Sequence, residues 1–392
     1  MSNVIGIGIL GLGGRGVYFA GKIFGRHPEC RLAGICDIAW KKIESSRAVL
    51  GNVPGTTDIN KFLSMPGLDA IVICTPDYAH AEHCIAALKA GKHVYLEKPM
   101  AQTIEDCDRI IDTWEKAKTV FMVGLELRYC TLIEDVKTLV DKGEIGRIVT
   151  GTVIDNVSVG GNYYYHGERR RKDYIKSLVL EKGTHSLDIA NWLIGSSPVK
   201  VYCSAGLDVF GGNEPVDKRC SECNEKWQCP YYIDSKGFKM DYGQIVKPQD
   251  LCVYADECDV HDNSLLIIDY ENGSRLAYIE CHFTPEYTRE FMLVGTKGKL
   301  KAFYNNEQEF KITVRKRHSR KIDVYLPERT EGGHGGGDER IAEEFIKRVK
   351  KGTAAMPGVK GARDSAAIAI AAVESCETGM PVYIKKSIVE IN

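Results

Sequence analysis

Lys98 stands at the end of the short apolar run Gly91–Leu96, between Glu97 and Pro99, where packing gives no reason for an ammonium group. In open α/β sheets, ligands bind in the crevice outside the carboxyl ends of the strands. Pro99 fixes its own φ and biases Lys98 towards extended geometry, so the amine is aimed. An amine held there can exchange a proton with a ligand hydroxyl; a surface lysine closing a strand is the plain alternative. Upstream, Gly11-Leu12-Gly13-Gly14-Arg15-Gly16 follows the β-rich run Val4–Leu10 and precedes VYFAGKIFG, which is apolar at helical spacing and closed by Gly25. Between a strand and a helix, G-x-G-x-x-G has a mechanism. Gly11 permits the tight turn, Gly13 lets the backbone approach a pyrophosphate, and Gly16 allows close helix–strand packing. The helix N-terminus adds free N–H groups for phosphates. Asp37 closes a second strand, Arg31–Cys36, about twenty residues after the glycines, where an acid accepts from the ribose hydroxyls of NAD. Helix N-capping is compatible with that role. Ile38 and Ala39 offer nothing to a 2′-phosphate, whereas Lys41 and Lys42 could, so NAD is expected in preference to NADP.

The elements that position these groups alternate. Leu68–Cys74 is a buried parallel-type strand, followed by Thr75-Pro76-Asp77-Tyr78 and a helix, AHAEHCIAALKAG, with Gly91 at its stop. The lysine strand, a helix around Ile104–Lys118 and a strand at Val120–Gly124 complete the series. Strict alternation predicts an α/β Rossmann domain over 1–125, a doubly wound parallel sheet. The stretch LELRYCTLIEDVKTLVDKGEIGRIV leaves it on a helix. Strands then dominate, at Arg147–Asp155, Lys200–Leu207, Ser264–Tyr270, Ser274–Glu280, Arg289–Val294 and Lys299–Tyr304, with a hairpin signal at Glu271-Asn272-Gly273. An α+β domain over 126–392 with a mostly antiparallel sheet is expected. The late helices Asp338–Lys351 and Gly361–Thr378 should pack on that sheet and on the domain junction.

A chain of 392 residues is too long for one ordinary core, which agrees with two domains. Hydrophobic content of 44% and charged content of 27% are those of a soluble globular protein. A net charge of −1 gives no electrostatic case for nucleic acid or an anionic membrane as partner. No apolar run approaches the roughly 20 residues of a membrane span. MSNVIGIGILGLGG lacks a basic n-region and a cleavage site. Fourteen cysteines in such a chain point to a reducing cytoplasm. An exposed face on the second sheet would make a homo-oligomer, a dimer or tetramer, the expected assembly.

The series GLGGRG, CD at the second strand end, CTPDYAH and GKHVYLEKP resembles the Gfo/Idh/MocA family, the glucose–fructose oxidoreductase and inositol dehydrogenase group of NAD(P)-dependent enzymes, over nearly the whole chain. The resemblance implies that Lys98 lies beside the nicotinamide and the reacting hydroxyl. It also implies cofactor contacts from Gly11, Leu12, Gly13, Gly14, Arg15, Gly16 and Asp37, and from Thr75, Pro76, His80 and Glu97. Further along, a helical stretch puts Glu181, His185 and Asp188 on one face. A histidine there is otherwise a satisfied core residue. The family carries D-x-x-x-H at this place, with the histidine at the substrate hydroxyls. Here the sequence is Glu181-Lys182-Gly183-Thr184-His185, so the histidine matches and the acid is one methylene longer. The runs Tyr163–Tyr165 and Arg169–Lys172 join rings to charges as sugar binding does, with a solvated basic loop as the alternative. His334, in a glycine-rich loop before Asp338, can reach a substrate or simply sit in an interdomain connection. The expected substrate set is Arg128, Tyr165, Arg169, Glu181, His185 and His334.

Cys220-x-x-Cys223, Cys229-Pro230, Cys252 and Cys258 form a dense insertion over 218–258. The spacing is zinc-type, although C-x-x-C-x5-C is not a standard finger. A sub-branch of the resembled family carries a similar RC-x-x-C…CPY…CVY insertion. That implies a metal quartet of Cys220, Cys223, Cys229 and Cys252, with Cys258 spare. A structural zinc is favoured; an iron–sulfur cluster, free thiols or a disulfide are the alternatives. The expected function is NAD-dependent oxidation of a secondary hydroxyl of a sugar, glycoside or cyclic polyol, with Lys98 as acid/base and His185 assisting. One alternative is a glycosidase that oxidises transiently, eliminates the aglycone and returns the hydride to retained NAD. Another is a sugar-sensing regulatory protein, which should lack Lys98 or His185; both are present.

Overall fold

The computed structural model describes residues 4–386 apart from 235, 237, 240–244, 247–248, 306–308, 331 and 354–357. In the first part of the chain, β1 (Ile5–Leu10) leads through the glycine turn into α1 (Gly14–Tyr18), which continues as a wide turn, Phe19–Ile23, and a tight one, Phe24–Arg26. Then come β2 (Cys30–Cys36), α2 (Trp40–Leu50), β3 (Gly55–Thr56), α3 (Ile59–Leu63), β4 (Ala70–Ile73), α4 (His80–Lys89), β5 (His93–Leu96), α5 (Ile104–Ala117) and β6 (Phe121–Val123). These six strands form one parallel sheet in the order β3-β2-β1-β4-β5-β6. The strand order reverses between β1 and β4, which opens a crevice at their carboxyl ends. β1 and β4 are buried along their whole length, as covering on both faces requires. α5 shows why the helices form where they do. Thr103 caps it by accepting from the Asp106 N–H at 3.1 Å, and Cys107, Ile110, Ile111 and Trp114 make its buried stripe.

In the second part, α6 (Thr131–Asp141), β7 (Ile148–Asn156), α7 (Lys172–Ile175), α8 (Thr184–Ile194) and β8 (Pro198–Gly206) precede a small hairpin of β9 (Phe238–Lys239) and β10 (Ile245–Val246). They are followed by β11 (Asn263–Tyr270), β12 (Arg275–Cys281), β13 (Thr288–Gly295), β14 (Gly298–Asn305), β15 (Phe310–Lys316) and β16 (Asp323–Tyr325). Last come α9 (Gly337–Lys351), α10 (Val359–Thr378) and β17 (Val382–Tyr383). A nine-stranded sheet runs β16-β15-β14-β13-β7-β12-β11-β8-β17, antiparallel at every junction except β7 with β12. Three of its strands, β15, β16 and β17, lie outside those expected from sequence. FKITVRK alternates as a strand does, but short, charge-rich edge segments give a weak period-2 signal.

Register sorts the covered face of this sheet into rows. Leu276, Gly151, Leu293 and Leu300 are level across β12, β7, β13 and β14, and Tyr278, Val153, Phe291 and Ala302 form the next row. Glu280, Asp155, Arg289 and Tyr304 form the third. The face therefore passes from apolar to ionic along the strands. On the opposite face, Leu265 and Ile267 of β11 are 53% and 57% exposed.

The chain divides into two compact units. One takes the residues up to Glu126 together with Gly337–Ala366; the other takes Leu127–Gly336 and Ala367–Lys386. The sequence predicts a second domain over 126–392, with the late helices on its sheet and on the domain junction. In the structure α9 instead belongs to the nucleotide-side unit, where Phe345 packs its ring at 6.2 Å from Phe24 and 5.8 Å from Tyr95. An amphipathic pattern tells which face of a helix is apolar, not which sheet it covers. Among the described residues no helix is long and apolar enough to cross a membrane.

Candidate active site

The glycine turn is built as its spacing implies. Gly11 has φ of 92°, and a Cβ there would fall 2.7 Å from the Thr75 nitrogen. At Gly16 a Cβ would come within 1.9 Å of the Gly11 carbonyl oxygen, whereas one at Gly13 would meet nothing within 4 Å. The turn is thus closed against β4 and open on the other side, which fits a pyrophosphate laid over Gly13. Asp37, only 6% exposed, accepts from the Leu12 N–H at 2.8 Å and the Ala39 N–H at 2.9 Å. Its carboxylate keeps acceptor capacity for ribose hydroxyls while it fixes the turn. Lys42 lies 3.6 Å away.

The Arg15 side chain is engaged within the protein. Its guanidinium donates to Glu97 at 2.9 Å, to Glu126 at 2.5 Å and to both oxygens of Asp338 at 2.9 Å. It also lies 4.3 Å over the Phe19 ring. Burial opposes its charge, but Asp338, Glu97 and Glu126 outweigh burial and raise its pKa. Burial, with Glu97 beside it, pushes the Glu126 carboxyl well up, and Arg15 works against that. Tyr95 donates to the same Glu126 oxygen at 3.1 Å. A Cβ on Gly124 would come within 2.9 Å of Glu126 and 3.0 Å of the Tyr95 hydroxyl, so the network needs the glycine.

Glu97, held this way, anchors the residue that follows it. The Lys98–Pro99 peptide is cis. The buried His80 ring faces the Pro99 carbonyl oxygen at 2.7 Å and the Thr75 carbonyl oxygen at 3.0 Å, and Thr75 Oγ1 lies 3.0 Å from His83 Nδ1. His80 and Thr75 thus brace the lysine turn against the end of β4. Lys98, half-buried, emerges at the carboxyl end of β5.

In the second unit, a wide turn at Val179–Gly183 feeds α8, so Glu181 and His185 are not spaced as on one regular helix. Glu181 accepts from Arg169 Nε at 3.0 Å, and the Arg169 guanidinium stands 5.1 Å over the Tyr163 ring. The His185 and His334 rings lie 5.0 Å apart. His334 and Gly335 both take left-handed backbone, with φ of 52° and 65°, which turns this loop back. His334 and Gly335 line a recess of about 320 Å³ with Arg289, Tyr304 and Cys130. The structure brings His185 beside His334, and Arg169 to Glu181.

Arg128 and Tyr165 are engaged with the scaffold. Arg128 makes a two-pronged pair with Asp188 at 2.6 and 2.7 Å under the Trp192 ring. Burial opposes that charge, and Asp188 more than offsets it. Tyr165 is fully buried, stacked 4.2 Å from Phe210, and its hydroxyl donates to the Val260 carbonyl at 2.9 Å. Arg128 directs Nε and Nη2, and Tyr165 its hydroxyl proton, to partners in the fold.

The ionic row of the sheet supplies residues that the sequence reading missed. Asp155 accepts from Arg289 Nε at 2.7 Å and from the Tyr278 hydroxyl at 2.8 Å. Burial works to raise its carboxyl, but Arg289 and Lys182 hold it well below the usual range. Glu280 lies 2.5 Å from the Tyr278 hydroxyl and 2.6 Å from His282 Nε2. Lys182 and Arg289 both point at the Tyr287 hydroxyl, at 3.3 and 3.5 Å. A Cβ on Gly183 would come 2.7 Å from Glu280, so the glycine lets the approach to α8 settle on this row. A charged residue at an inward position of an alternating strand was the available signal.

The four expected metal thiols face one cavity, while Cys258 donates to the Val253 carbonyl at 3.5 Å within an apolar cluster. All fourteen cysteines are free thiols.

Comparison with known proteins agrees with this architecture. Residues 5–125 match a family described as an oxidoreductase family with an NAD-binding Rossmann fold. Residues 137–384 match the C-terminal alpha/beta domain of an oxidoreductase family. An oxidoreductase of Bacillus subtilis strain 168 named YteT is 25% identical over 71% of this chain and 72% of its own. The scyllo-inositol 2-dehydrogenase (NAD(+)) of the same organism is 22% identical over 98% of this chain and 97% of its own. A levoglucosan dehydrogenase solved with NADH and levoglucosan superposes with a TM-score of 0.74 at 20% identity, over 97% of this chain and 100% of that one.

Removing the cation at the centre of the nucleotide-side unit should be costly. Arg15→Met should destabilise the fold by about 3 kcal/mol, the low end for breaking a buried pair, since the arginine side chain keeps 24% exposure. The raised folded-state value of Glu126 means that its proton favours the fold at low pH, a contribution lost as pH rises through that value. Without Arg15 the rise is larger. The deficit, read from denaturant unfolding, should therefore grow as pH rises above the ordinary carboxylate range.

Proposed function

The chain belongs to the Gfo/Idh/MocA family of NAD(P)-dependent oxidoreductases acting on CH–OH groups, and we propose that it oxidises a secondary hydroxyl of a sugar, glycoside or cyclic polyol with NAD. Bound NAD supplies the hydride acceptor. The residues fit it: an open turn at Gly13, the Asp37 carboxylate at the second strand end, and no cation at Ile38 or Ala39. Lys98 takes the hydroxyl proton as the hydride leaves, and returns it in the reverse direction. His185, with His334 beside it, orients the substrate hydroxyls, and Arg169 paired to Glu181 grips the ring substituents. The observation that carries this reading is the bracing of the lysine turn. Glu97 is tied to the glycine turn through Arg15, and Pro99 to the end of β4 through His80. A lysine that only closed a strand would need neither restraint.

The insertion takes no part in this chemistry; a zinc ion on its thiols would cross-link it. Free thiols at all fourteen cysteines support a reducing, cytoplasmic setting. The exposed Leu265 and Ile267, with Tyr202 beside them in register, support a homo-oligomer in which a second copy covers this face.

The cofactor assignment has a direct test. Asp37→Ala should weaken NAD binding by roughly 1–3 kcal/mol in calorimetric titration, since it leaves ribose hydroxyls and the Leu12 N–H unpaired. Wild-type protein that binds NADP as tightly as NAD would contradict the role given to Asp37. For the assembly, sedimentation should report a multiple of the chain mass, and Ile267→Lys should reduce it; a wild-type monomer would rule out the homo-oligomer. The chemistry is tested by Lys98→Met, which keeps most of the stem but removes the exchangeable proton. NADH formation against hexoses, inositols, uronic acids and aryl glycosides identifies the substrate. With it, the variant should bind NAD nearly as the wild type does and lose about 10²–10⁴ in kcat. His185→Ala should raise KM as well. A Lys98→Met enzyme within a few-fold of wild type would refute the acid/base role. Aglycone release without stoichiometric NADH would instead point to the redox-neutral glycosidase.

A further inference from the structure

Around the ionic row one cation is left without an acid. Arg169 pairs with Glu181, and Arg289 with Asp155. Glu280, the other acid of the row, accepts from the Tyr278 hydroxyl and faces His282 Nε2. Among the described residues no carboxylate pairs with the Lys182 ammonium. It turns instead to the Tyr287 hydroxyl at 3.3 Å, where Arg289 Nη2 also arrives at 3.5 Å. Lys182 and Tyr287 are both half-buried, so a ligand can reach them.

Two cationic donors aimed at one neutral oxygen form weaker hydrogen bonds than they would with a carboxylate. The field at this point is positive. Burial opposes ionisation of the Tyr287 phenol, but Lys182 and Arg289 outweigh burial and hold it below its ordinary value, even with Asp155 nearby. The neighbouring Tyr304 phenol is pushed well up by burial and by Tyr287, so it stays protonated. The pair also lies beside the substrate-side residues. Lys182 stands between Glu181 and His185 in the chain. The Tyr287 ring meets Tyr304 edge-on at 5.8 Å, and Tyr304 lines the recess of His334 and Arg289.

We propose that Lys182 and Tyr287 bind a carboxylate of the substrate, which makes the sugar a uronate or another sugar acid. The ammonium donates to the carboxylate, and the phenol turns its proton to it while still accepting from Arg289. One unpaired ammonium matches one negative charge, whereas a phosphate ester brings nearly two. The assignment rests on the sugar reading above for its place in the reaction; binding of the carboxylate is measured apart from turnover.

Calorimetric titration of the NAD-loaded protein with matched pairs, galacturonate against galactose and glucuronate against glucose, tests it. At least one uronate should bind roughly 10- to 100-fold more tightly than its neutral partner, the worth of hydrogen bonds to a charged group. That preference should shrink as salt is raised. Lys182→Met, at a half-buried position, should remove most of the preference, and Lys182→Arg should restore part of it. Tyr287→Phe should lower it less, since the ammonium remains. Uronates that bind no better than their neutral partners, or a Lys182→Met protein that keeps the preference, would overturn the proposal. Uronate binding that depends on Lys182 without NADH formation would uphold the carboxylate site while the dehydrogenase reading fails.

Discussion

One guanidinium among three carboxylates holds the nucleotide-side unit in its working shape. Arg15 comes from the glycine turn, Glu97 from the end of β5, Glu126 from beyond β6 and Asp338 from the start of α9. Three acids around one base leave the cluster short of positive charge. It is therefore stable only with Arg15 in place, backed by Phe19, and with Tyr95 donating to Glu126. The arrangement joins four distant stretches of chain at the crevice where strand order reverses. Its consequence is mechanical: the residue before Lys98 cannot move without disturbing the glycine turn.

The second unit meets a similar problem with a sheet. Period-2 alternation buries every other residue, and register decides which of them share a row. Two rows are filled by aliphatic and aromatic side chains, while the third carries Glu280, Asp155, Arg289 and Tyr304. Buried charges survive there because each has partners: Asp155 with Arg289 and Tyr278, Glu280 with Tyr278 and His282. Gly183 allows the approach to α8 to sit down on this row, and His185 begins the next turn. The polar row thus underlies the approach to α8, with Lys182 and Arg289 converging on the Tyr287 hydroxyl at its margin.

Two expected substrate residues show how function and scaffold look alike in one dimension. Arg128 and Tyr165 have the chemistry of sugar-binding residues, yet one neutralises Asp188 and the other stacks in the aromatic core. Arg169 differs from its neighbour Arg170 by one position. The first reaches Glu181 and the second is buried among the carbonyls of the cysteine-rich loops. Nothing in the run Arg169–Lys172 separates them; burial does.

The sequence by itself determined what depends on short range. The glycine turn, Asp37 at its strand end, the lysine turn after β5 and the alternation of strands and helices are all local patterns, because backbone conformation and periodicity are local constraints. The antiparallel character of the second sheet was legible for the same reason. Only the tertiary structure decided what depends on pairing between distant segments. It put α9 in the nucleotide-side unit, gathered three carboxylates around the Arg15 guanidinium, and set β7 parallel to β12 so that Asp155 and Glu280 share a row. It also brought four cysteines to one cavity and left Cys258 in an apolar cluster. A buried charge is tolerable only where its partner arrives, and the partner's position in sequence carries no trace of that meeting.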